Sequence, residues 1–159
     1  MKNKKALLIA LGIIIVLLDQ IVKVILIDKN IILIPSVLSF TYTQNTGTAF
    51  GIGNNNTMLI IILNIIILGI IIKLLKERKD GIELNTLLSL ILILAGGISN
   101  LFDRIFRGYV IDFIDINLLN FPSFNIADIS IVIGIVLLGI QILKNINQKE
   151  DKKVLTNNK

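Results

Sequence analysis

The sequence predicts an all-α membrane protein with four transmembrane helices, a small extracytoplasmic β-sheet element and both termini in the cytoplasm. Hydrophobic residues make up 54% of the 159 residues, and the mean hydropathy is +0.84. A soluble domain of this length rarely contains so much apolar residue, because its surface faces water. The second observation is a set of long apolar runs, and the third is the one-sided distribution of Lys and Arg described below.

Four apolar segments are long enough to cross a hydrocarbon core, which takes roughly 20 helical residues. They span about 6–27, 58–75, 87–106 and 126–143. Asp19, Gln20 and Lys23 interrupt the first segment. Its Lys-rich start resembles a secretory signal peptide, but the run is too long and lacks a small-x-small cleavage site. We therefore interpret it as a retained anchor within a single membrane domain covering residues 1–159.

Basic residues predict the orientation. Of the 16 Lys and Arg residues, three precede the first segment, four lie at the turn between the second and third segments, and five follow the fourth. They are Lys2, Lys4, Lys5, Lys73, Lys76, Arg78, Lys79, Lys144, Lys149, Lys152, Lys153 and Lys159. Positive charge favours the cytoplasmic side, so both termini are expected there. The net charge of +5 is thereby explained without a nucleic-acid partner.

Two loops, about 28–57 and 107–125, are then expected on the outer face. Residues 38–43 alternate apolar and hydroxylated side chains, which is typical of a half-exposed strand. Asn45-Thr46-Gly47 reads as a turn, and residues 109–116 could form a second short strand. Together these features predict a small sheet on the outer membrane surface.

The composition excludes several kinds of chemistry. The chain has no Cys and no His, so it has no disulfide, no catalytic thiol and no Ser-His-Asp arrangement. His-rich and thiolate metal sites are excluded as well. We therefore predict no metal and no cofactor, and we expect any catalysis to use Asp, Glu, Lys, Ser, Thr or Tyr.

Polar residues within the spans gather at the outer level, and such residues are functional candidates by default. They are Asp19, Lys23, Asn100, Asp103, Arg104, Asn125 and Asp128, with Asp112 in the loop nearby. The inner halves are almost pure hydrocarbon. This distribution favours a one-sided site over a conduit, since a conduit needs polar groups through the full depth.

Helical spacing groups these residues further. Asn100, Asp103 and Arg104 share a helix face, and Asp19 and Lys23 form a natural i, i+4 ion pair. We interpret that pair as structural, and we expect Arg104 and nearby polar groups to neutralise Asp103.

Two further features predict helix packing. Gly96-Gly97 indicates a close contact between helices, and Asn64 a hydrogen bond between helices.

Two carboxyl groups held close together share a proton near neutral pH, because both cannot ionise easily. One can then deprotonate water while the other activates a carbonyl oxygen, as in aspartic peptidases. The candidates are Asp103, Asp112, Asp115 and Asp128, and spacing alone does not select the pair.

Four stretches, in order, resemble the lipoprotein (type II) signal peptidases, a family of aspartic peptidases. They are Asp19-Gln20-x-x-Lys23; Asn45-x-Gly47-x-Ala49-Phe50-Gly51; Gly97-x-x-Asn100-x-x-Asp103-Arg104 leading to Val110-Ile111-Asp112-Phe113; and Phe121-Pro122-x-Phe124-Asn125-x-Ala127-Asp128. The resemblance covers about residues 6–144. The stretch between Asp112 and Asp128 is short and lacks the tryptophan often seen there.

This resemblance implies that Asp112 and Asp128 are catalytic. It also implies site-shaping or substrate-binding roles for Asp19, Lys23, Asn45, Gly47, Asn100, Asp103, Arg104 and Asn125. The implied substrate is a bacterial prolipoprotein whose cysteine carries diacylglycerol, cut just before that cysteine at the outer face of the cytoplasmic membrane. Membrane lipids are further expected partners.

Two other functions compete with this hypothesis. A small transporter or channel predicts polar residues in the inner halves of the helices, and a non-enzymatic scaffold predicts that neutralising the two aspartates leaves function intact. Neither alternative accounts for the four ordered motifs.

Overall fold

A computed structural model describes residues 2–47, 56–77, 82–119 and 121–157. Ala49, Phe50 and Gly51 of the second motif, and the basic residues Arg78, Lys79 and Lys159, lie outside the described residues. So do the side chains of residues 2, 119 and 148–157. The elements in order are α1 (Lys2–Ile25), β1 (Asn30–Ile34), β2 (Leu38–Asn45), α2 (Thr57–Glu77), α3 (Leu84–Phe106), β3 (Val110–Asp115), a short 3-10 helix (Asn117–Leu119) and α4 (Ile126–Asn157).

The four predicted membrane helices are confirmed. Each of the four long helices contains a stretch apolar and long enough to span a bilayer: Asn3–Ile25, Thr57–Glu77, Leu84–Phe106 and Ile126–Asn147. The predicted bounds differ most at two ends, where α1 begins at Lys2 and α4 continues past residue 143 to Asn157. Gln, Lys and Glu are good helix formers, so a helix can continue where its hydrophobic run stops.

Helix α3 is the centre of the bundle and packs against α1, α2 and α4. In its apolar stretch 61% of residues are buried, against 11% in α2. The predicted packing glycines explain how neighbours approach it. A Cβ on Gly96 would lie 2.2 Å from the carbonyl oxygen of Ala127 on α4. Asn64 on α2 donates to the carbonyl oxygen of Gly97 at 3.3 Å, so both interpretations are confirmed.

A three-stranded antiparallel sheet covers one end of the bundle, which we call the sheet end. Its order is β1-β2-β3, and the two predicted strands correspond to β2 and β3. Strand β1 was not predicted, because its five residues Asn-Ile-Ile-Leu-Ile lack the polar alternation of a half-buried strand. All five are exposed, since within the described residues β1 contacts β2 and no helix.

Chain connectivity brings β3 to the bundle. Strand β3 begins four residues after α3 ends, and α4 begins eleven residues after β3 ends. A bridge between Ile114 and Phe124 folds the intervening segment back onto β3. The strand is therefore held against the adjacent ends of α3 and α4, and Asp112 on β3 faces Asp128 in the first turn of α4.

Candidate active site

Asp112 and Asp128 meet around one asparagine. Asn125 donates through Nδ2 to Oδ1 of Asp112 at 2.7 Å, and through its main-chain N–H to Oδ2 of Asp128 at 3.1 Å. Its own Oδ1 accepts the N–H of Asp128 at 2.9 Å. Asn125 thus caps α4 and holds both carboxyl groups at the helix N-terminus, where negative charge is stabilised.

Strand β2 supplies a second amide to Asp112. The antiparallel register sets Thr43 opposite Asp112 and Asn45 opposite Val110, so Asn45 ends the strand beside the aspartate. Asn45 Nδ2 donates to Oδ2 of Asp112 at 2.8 Å. Gly47 donates its N–H to Asn45 Oδ1 at 3.0 Å. Both oxygens of the Asp112 carboxyl group therefore accept an amide hydrogen bond.

Helix α3 supplies the matching amide to Asp128. Asn100 Nδ2 donates to Oδ1 of Asp128 at 2.7 Å. Its amide oxygen accepts from Lys23 Nζ at 2.9 Å and from Asn125 Nδ2 at 3.2 Å. Because both partners of that oxygen are donors, the Asn100 amide has to present its nitrogen to Asp128.

A buried ion-pair network lies behind these amides. Lys23 is fully buried, and its Nζ lies 2.6 Å from Asp19 and 2.8 Å from Asp103. The predicted Asp19–Lys23 pair is therefore confirmed. Asp19 also accepts the N–H of Ala127 at 3.0 Å, which ties α1 to the start of α4.

The prediction that Arg104 neutralises Asp103 was wrong, whereas the predicted contact with a nearby polar group is confirmed. Asp103 is neutralised by Lys23 and Arg107, and Gln20 donates to it at 3.0 Å. Arg104 follows Asp103 directly, and successive helical residues point in different directions, whereas Arg107 at i+4 shares its face. The i+4 spacing was a signal for Arg107, but the sequence gives no comparable signal for Gln20, which reaches α3 from α1.

Arg104 points into the site instead. Its Nη2 donates to the carbonyl oxygen of Gly47 at 3.0 Å, and its Nη1 to the carbonyl oxygen of Asn100 at 3.4 Å. In the described part of the chain, its Nε is the one buried side-chain nitrogen or oxygen without a hydrogen-bond partner. A buried donor without a partner is costly.

The environment raises the pKa of Asp112 from its usual 3.8 to about 7. Burial is the largest cause, and repulsion by the Asp128 carboxylate is the second. Hydrogen bonds from Asn45 and Asn125, and the charge of Lys23, act in the opposite direction. The Asp112 carboxyl group therefore keeps its proton up to about neutral pH.

A cavity of about 1050 Å³ opens from the aspartates into the bundle. At the sheet end it is lined by polar groups, including Asn45, Arg104, Asp112 and Asp128. Apart from Asn64, its deeper walls are apolar residues of α2 and α4, among them Ile60, Leu63, Ile67, Ile129, Val132 and Ile133. Helix α2 packs on α3 but does not contact α4 within the described ranges, so the cavity opens sideways between α2 and α4.

No group of three or more Asp, Glu, His or Cys residues that could hold a metal occurs among the residues described. Paired carboxyl groups with one shared proton, at the end of four membrane helices, are typical of an aspartic peptidase that works in a membrane. Comparison with known proteins agrees with this class.

Residues 11–144 match the family described as signal peptidase (SPase) II. A lipoprotein signal peptidase of Staphylococcus aureus is 36% identical over 154 residues, which cover 92% of this chain and 93% of the relative. The corresponding protein of strain Newman is 35% identical over the same length. This chain therefore belongs to the signal peptidase II family, and it is an aspartic peptidase.

Two solved structures share the fold. Both are described as bacterial membrane enzymes determined by the in meso method, one at 2.3 Å and one at 1.9 Å resolution. The first has a TM-score of 0.82 at 33% identity and covers 92% of each chain. The second has a TM-score of 0.77 at 34% identity, covering 87% of this chain and 94% of its own.

Proposed function

We propose that this peptidase removes signal peptides from prolipoproteins by cutting just before a cysteine that carries diacylglycerol, with Asp112 and Asp128 as the catalytic pair. Family membership makes signal-peptide removal from prolipoproteins the reaction class. The observation that carries the residue assignment is the shared hydrogen-bonding of both aspartates to Asn125 at the mouth of the cavity.

The pair performs hydrolysis in its singly protonated form. The ionised carboxylate accepts a proton from a water molecule, whose oxygen attacks the scissile carbonyl carbon. The protonated carboxyl group donates its proton to the carbonyl oxygen as the tetrahedral intermediate forms. When the intermediate collapses, the C–N bond breaks: the carboxyl group that took the proton from water gives it to the leaving amine, and the other carboxylate takes back a proton from a hydroxyl group of the intermediate. The products are the free signal peptide and the new N-terminal cysteine, and the pair is again singly protonated. The two carboxyl groups titrate as a coupled pair.

The remaining site residues support this pair. Asn45, Asn100 and Asn125 orient the carboxyl groups through the hydrogen bonds described above. Asp19, Lys23 and Asp103 fix α1 against α3 and the start of α4 through buried contacts. Arg104 and Gly47 shape the cavity mouth.

The shape of the cavity supports a lipid-modified substrate. Its deep walls are mainly isoleucine, leucine and valine side chains with Asn64 as the polar exception, and its other polar groups lie at the sheet end. A diacylglyceryl group could reach it from the bilayer between α2 and α4 and bury its acyl chains there, while the peptide bond stays at the aspartates. Because the bilayer is as apolar as these walls, the acyl chains gain little transfer free energy on entry, and the cavity selects the lipid by packing and shape.

The charge distribution supports placing the sheet end on the extracytoplasmic face of a bacterial cytoplasmic membrane. By their positions in the sequence, twelve of the 16 Lys and Arg residues belong to the side of the helices opposite the sheet, and positive charge marks the cytoplasmic side. A signal peptide inserted from the cytoplasm has its cleavage site at the far face, so this orientation brings the aspartates to that bond.

The distribution of buried polar groups argues against a transporter or channel. Among the described residues the buried polar side chains are Asp19, Lys23, Ser39, Ser89, Ser99, Asn100, Asp103, Asp112, Asn125 and Ser130. Only Ser89 and Ser130 lie deeper than the site, and both donate to main-chain carbonyl oxygens. A conduit needs polar groups through the full depth of the membrane.

Cleavage of matched precursors tests the proposed substrate. The purified protein in detergent, with a chelator present, is given one prolipoprotein with and without the diacylglyceryl group on its cysteine. We expect cleavage before the cysteine of the lipidated precursor, and a rate at least 100-fold lower for the unmodified one. Equal rates on both precursors would contradict the lipid requirement, and no cleavage of several lipidated precursors would contradict the proposed function.

A further inference from the structure

Arg104 holds a main-chain turn rather than a carboxylate. In the part of the chain that the structure describes, its guanidinium makes no ion pair, while its Nη2 donates to the carbonyl oxygen of Gly47 at 3.0 Å. Gly47 follows β2 and is buried. The arginine thus joins α3 to the turn that closes the site from the side of the sheet.

The same glycine determines how Asn45 faces the active site. The N–H of Gly47 donates to Asn45 Oδ1 at 3.0 Å, which leaves Nδ2 to donate to Asp112 Oδ2 at 2.8 Å. A flipped amide would set its oxygen against a carboxylate oxygen and its NH₂ group against the N–H of Gly47. Two favourable contacts would become repulsive, so the position of Gly47 selects one amide orientation.

We propose that Arg104 is a positioning residue that orients the amide of Asn45 towards Asp112 by holding Gly47. The inference rests on the proposed catalytic role of Asp112, and it adds a function for an arginine that makes no direct hydrogen bond to either aspartate. Three consecutive hydrogen bonds, from Arg104 to Gly47, from Gly47 to Asn45 and from Asn45 to Asp112, connect α3 to the reacting carboxyl group.

Several charged groups surround Asp112, so a test has to separate the direct electrostatic effect of Arg104 on Asp112 from its effect through Asn45. Asp128 of α4 and Lys23 of α1 act on it electrostatically, and Asp103 of α3 accepts the N–H of the neighbouring Ile111 at 3.3 Å. The positive charge of Arg104 itself interacts with Asp112. Removing this charge therefore acts on Asp112 directly as well as through Asn45, and only the second effect disappears when Asn45 is absent.

Infrared titration of the protonated Asp112 carboxyl group distinguishes the two effects without substrate turnover. The C=O stretch that disappears in Asp112→Asn identifies the band, and its loss with rising pH gives a midpoint. We expect a midpoint near 7 for the wild type. The midpoint should rise by about one pH unit in Asn45→Ala, because the lost hydrogen bond favours the ionised form, and should also rise in Arg104→Met.

The double variant is decisive. If Arg104 acts through Asn45, Arg104→Met shifts the midpoint clearly less in the Asn45→Ala background than in the wild type. Equal shifts in the two backgrounds, or no shift from Arg104→Met alone, would overturn the proposal. Arg107→Met is the matched control: Arg107 contacts Asp103 and Gln20 rather than Gly47, so any shift it causes should be equal in both backgrounds.

Two precautions keep the result interpretable. If Arg104→Met does not purify as a monodisperse protein, Arg104→Lys replaces it, because lysine keeps the charge but loses the forked donor. If Arg104→Lys shifts the midpoint as much in the Asn45→Ala background as in the wild type, the proposal is contradicted as well. Because the titration needs no substrate, failure to cleave lipidated precursors would contradict the proposed function and leave this readout intact.

Discussion

At the scale of single residues, the site uses neutral amides next to the carboxyl groups and keeps the cations one residue further away. Asn45, Asn100 and Asn125 contact Asp112 or Asp128 directly, whereas Lys23 bonds to Asn100 and Arg104 to Gly47. A cation in direct contact would hold a carboxyl group in its ionised form. Amide donors orient the pair and still allow it to keep the proton that the reaction needs.

This arrangement predicts a pH dependence of cleavage. The pKa of Asp112 is raised to about 7, so the group is protonated below that pH and loses the last proton of the pair as pH rises through it. We expect kcat/KM to fall above about pH 7, approaching tenfold per pH unit at higher pH. The measurement is kcat/KM on a lipidated precursor from pH 5 to 9, and a profile that stays flat above pH 7 would contradict the account.

At the scale of elements, α3 provides both the packing surface of the bundle and three of the site residues. Its glycines let α2 and α4 approach closely, and its last two turns carry Asn100, Asp103 and Arg104. The alignment of Asn100 with Asp128 therefore depends on how closely α3 and α4 pack below the site.

Substituting the packing glycine tests this dependence. Gly96→Ala introduces a Cβ 2.2 Å from the carbonyl oxygen of Ala127, one residue before Asp128. Overpacking of this kind costs about 1–3 kcal/mol, so we expect a lower thermal unfolding midpoint in detergent together with reduced cleavage. Gly139→Ala is the control, since nothing lies within 4 Å of its added Cβ. An equal effect of both substitutions would contradict the packing role of Gly96.

Elements also show what the sequence could and could not predict. Long apolar runs predicted all four helices because a bilayer requires them, and alternation predicted β2 and β3. Strand β1 has no alternation to detect. Local spacing found the Asp19–Lys23 pair, but the contacts of Lys23 with Asp103 and of Gln20 with α3 join residues about 80 positions apart. Spacing alone cannot reveal such contacts, and only the family resemblance singled out Asp112 and Asp128 among four candidate aspartates.

At the scale of the whole molecule, the two ends have opposite character. The sheet end holds the acidic pair and its amides, while the other end carries most of the Lys and Arg residues. This asymmetry predicts an orientation with the sheet outside and both termini inside.

Single cysteines test the orientation cleanly, because the chain has no Cys of its own. In intact cells, a membrane-impermeant maleimide should label Ser36→Cys, in the hairpin turn of the sheet. It should not label Lys5→Cys or Lys144→Cys until the membrane is permeabilised. Labelling of the two lysine positions but not of residue 36 in intact cells would contradict the predicted topology.

The central claim is that Asp112 and Asp128 carry out the cleavage, and it is tested most directly by neutralising each one. Cleavage of a lipidated prolipoprotein by the wild type is compared with that by Asp112→Asn, Asp128→Asn and, as a control on the same strand as Asp112, Asp115→Asn. We expect Asp112→Asn and Asp128→Asn each to reduce kcat at least 1000-fold with unfolding midpoints preserved, since losses of this size are typical of residues that act in the chemical step. The kcat of Asp115→Asn should stay within about threefold of the wild type. Retention of near wild-type activity by either Asp112→Asn or Asp128→Asn would contradict the catalytic pair.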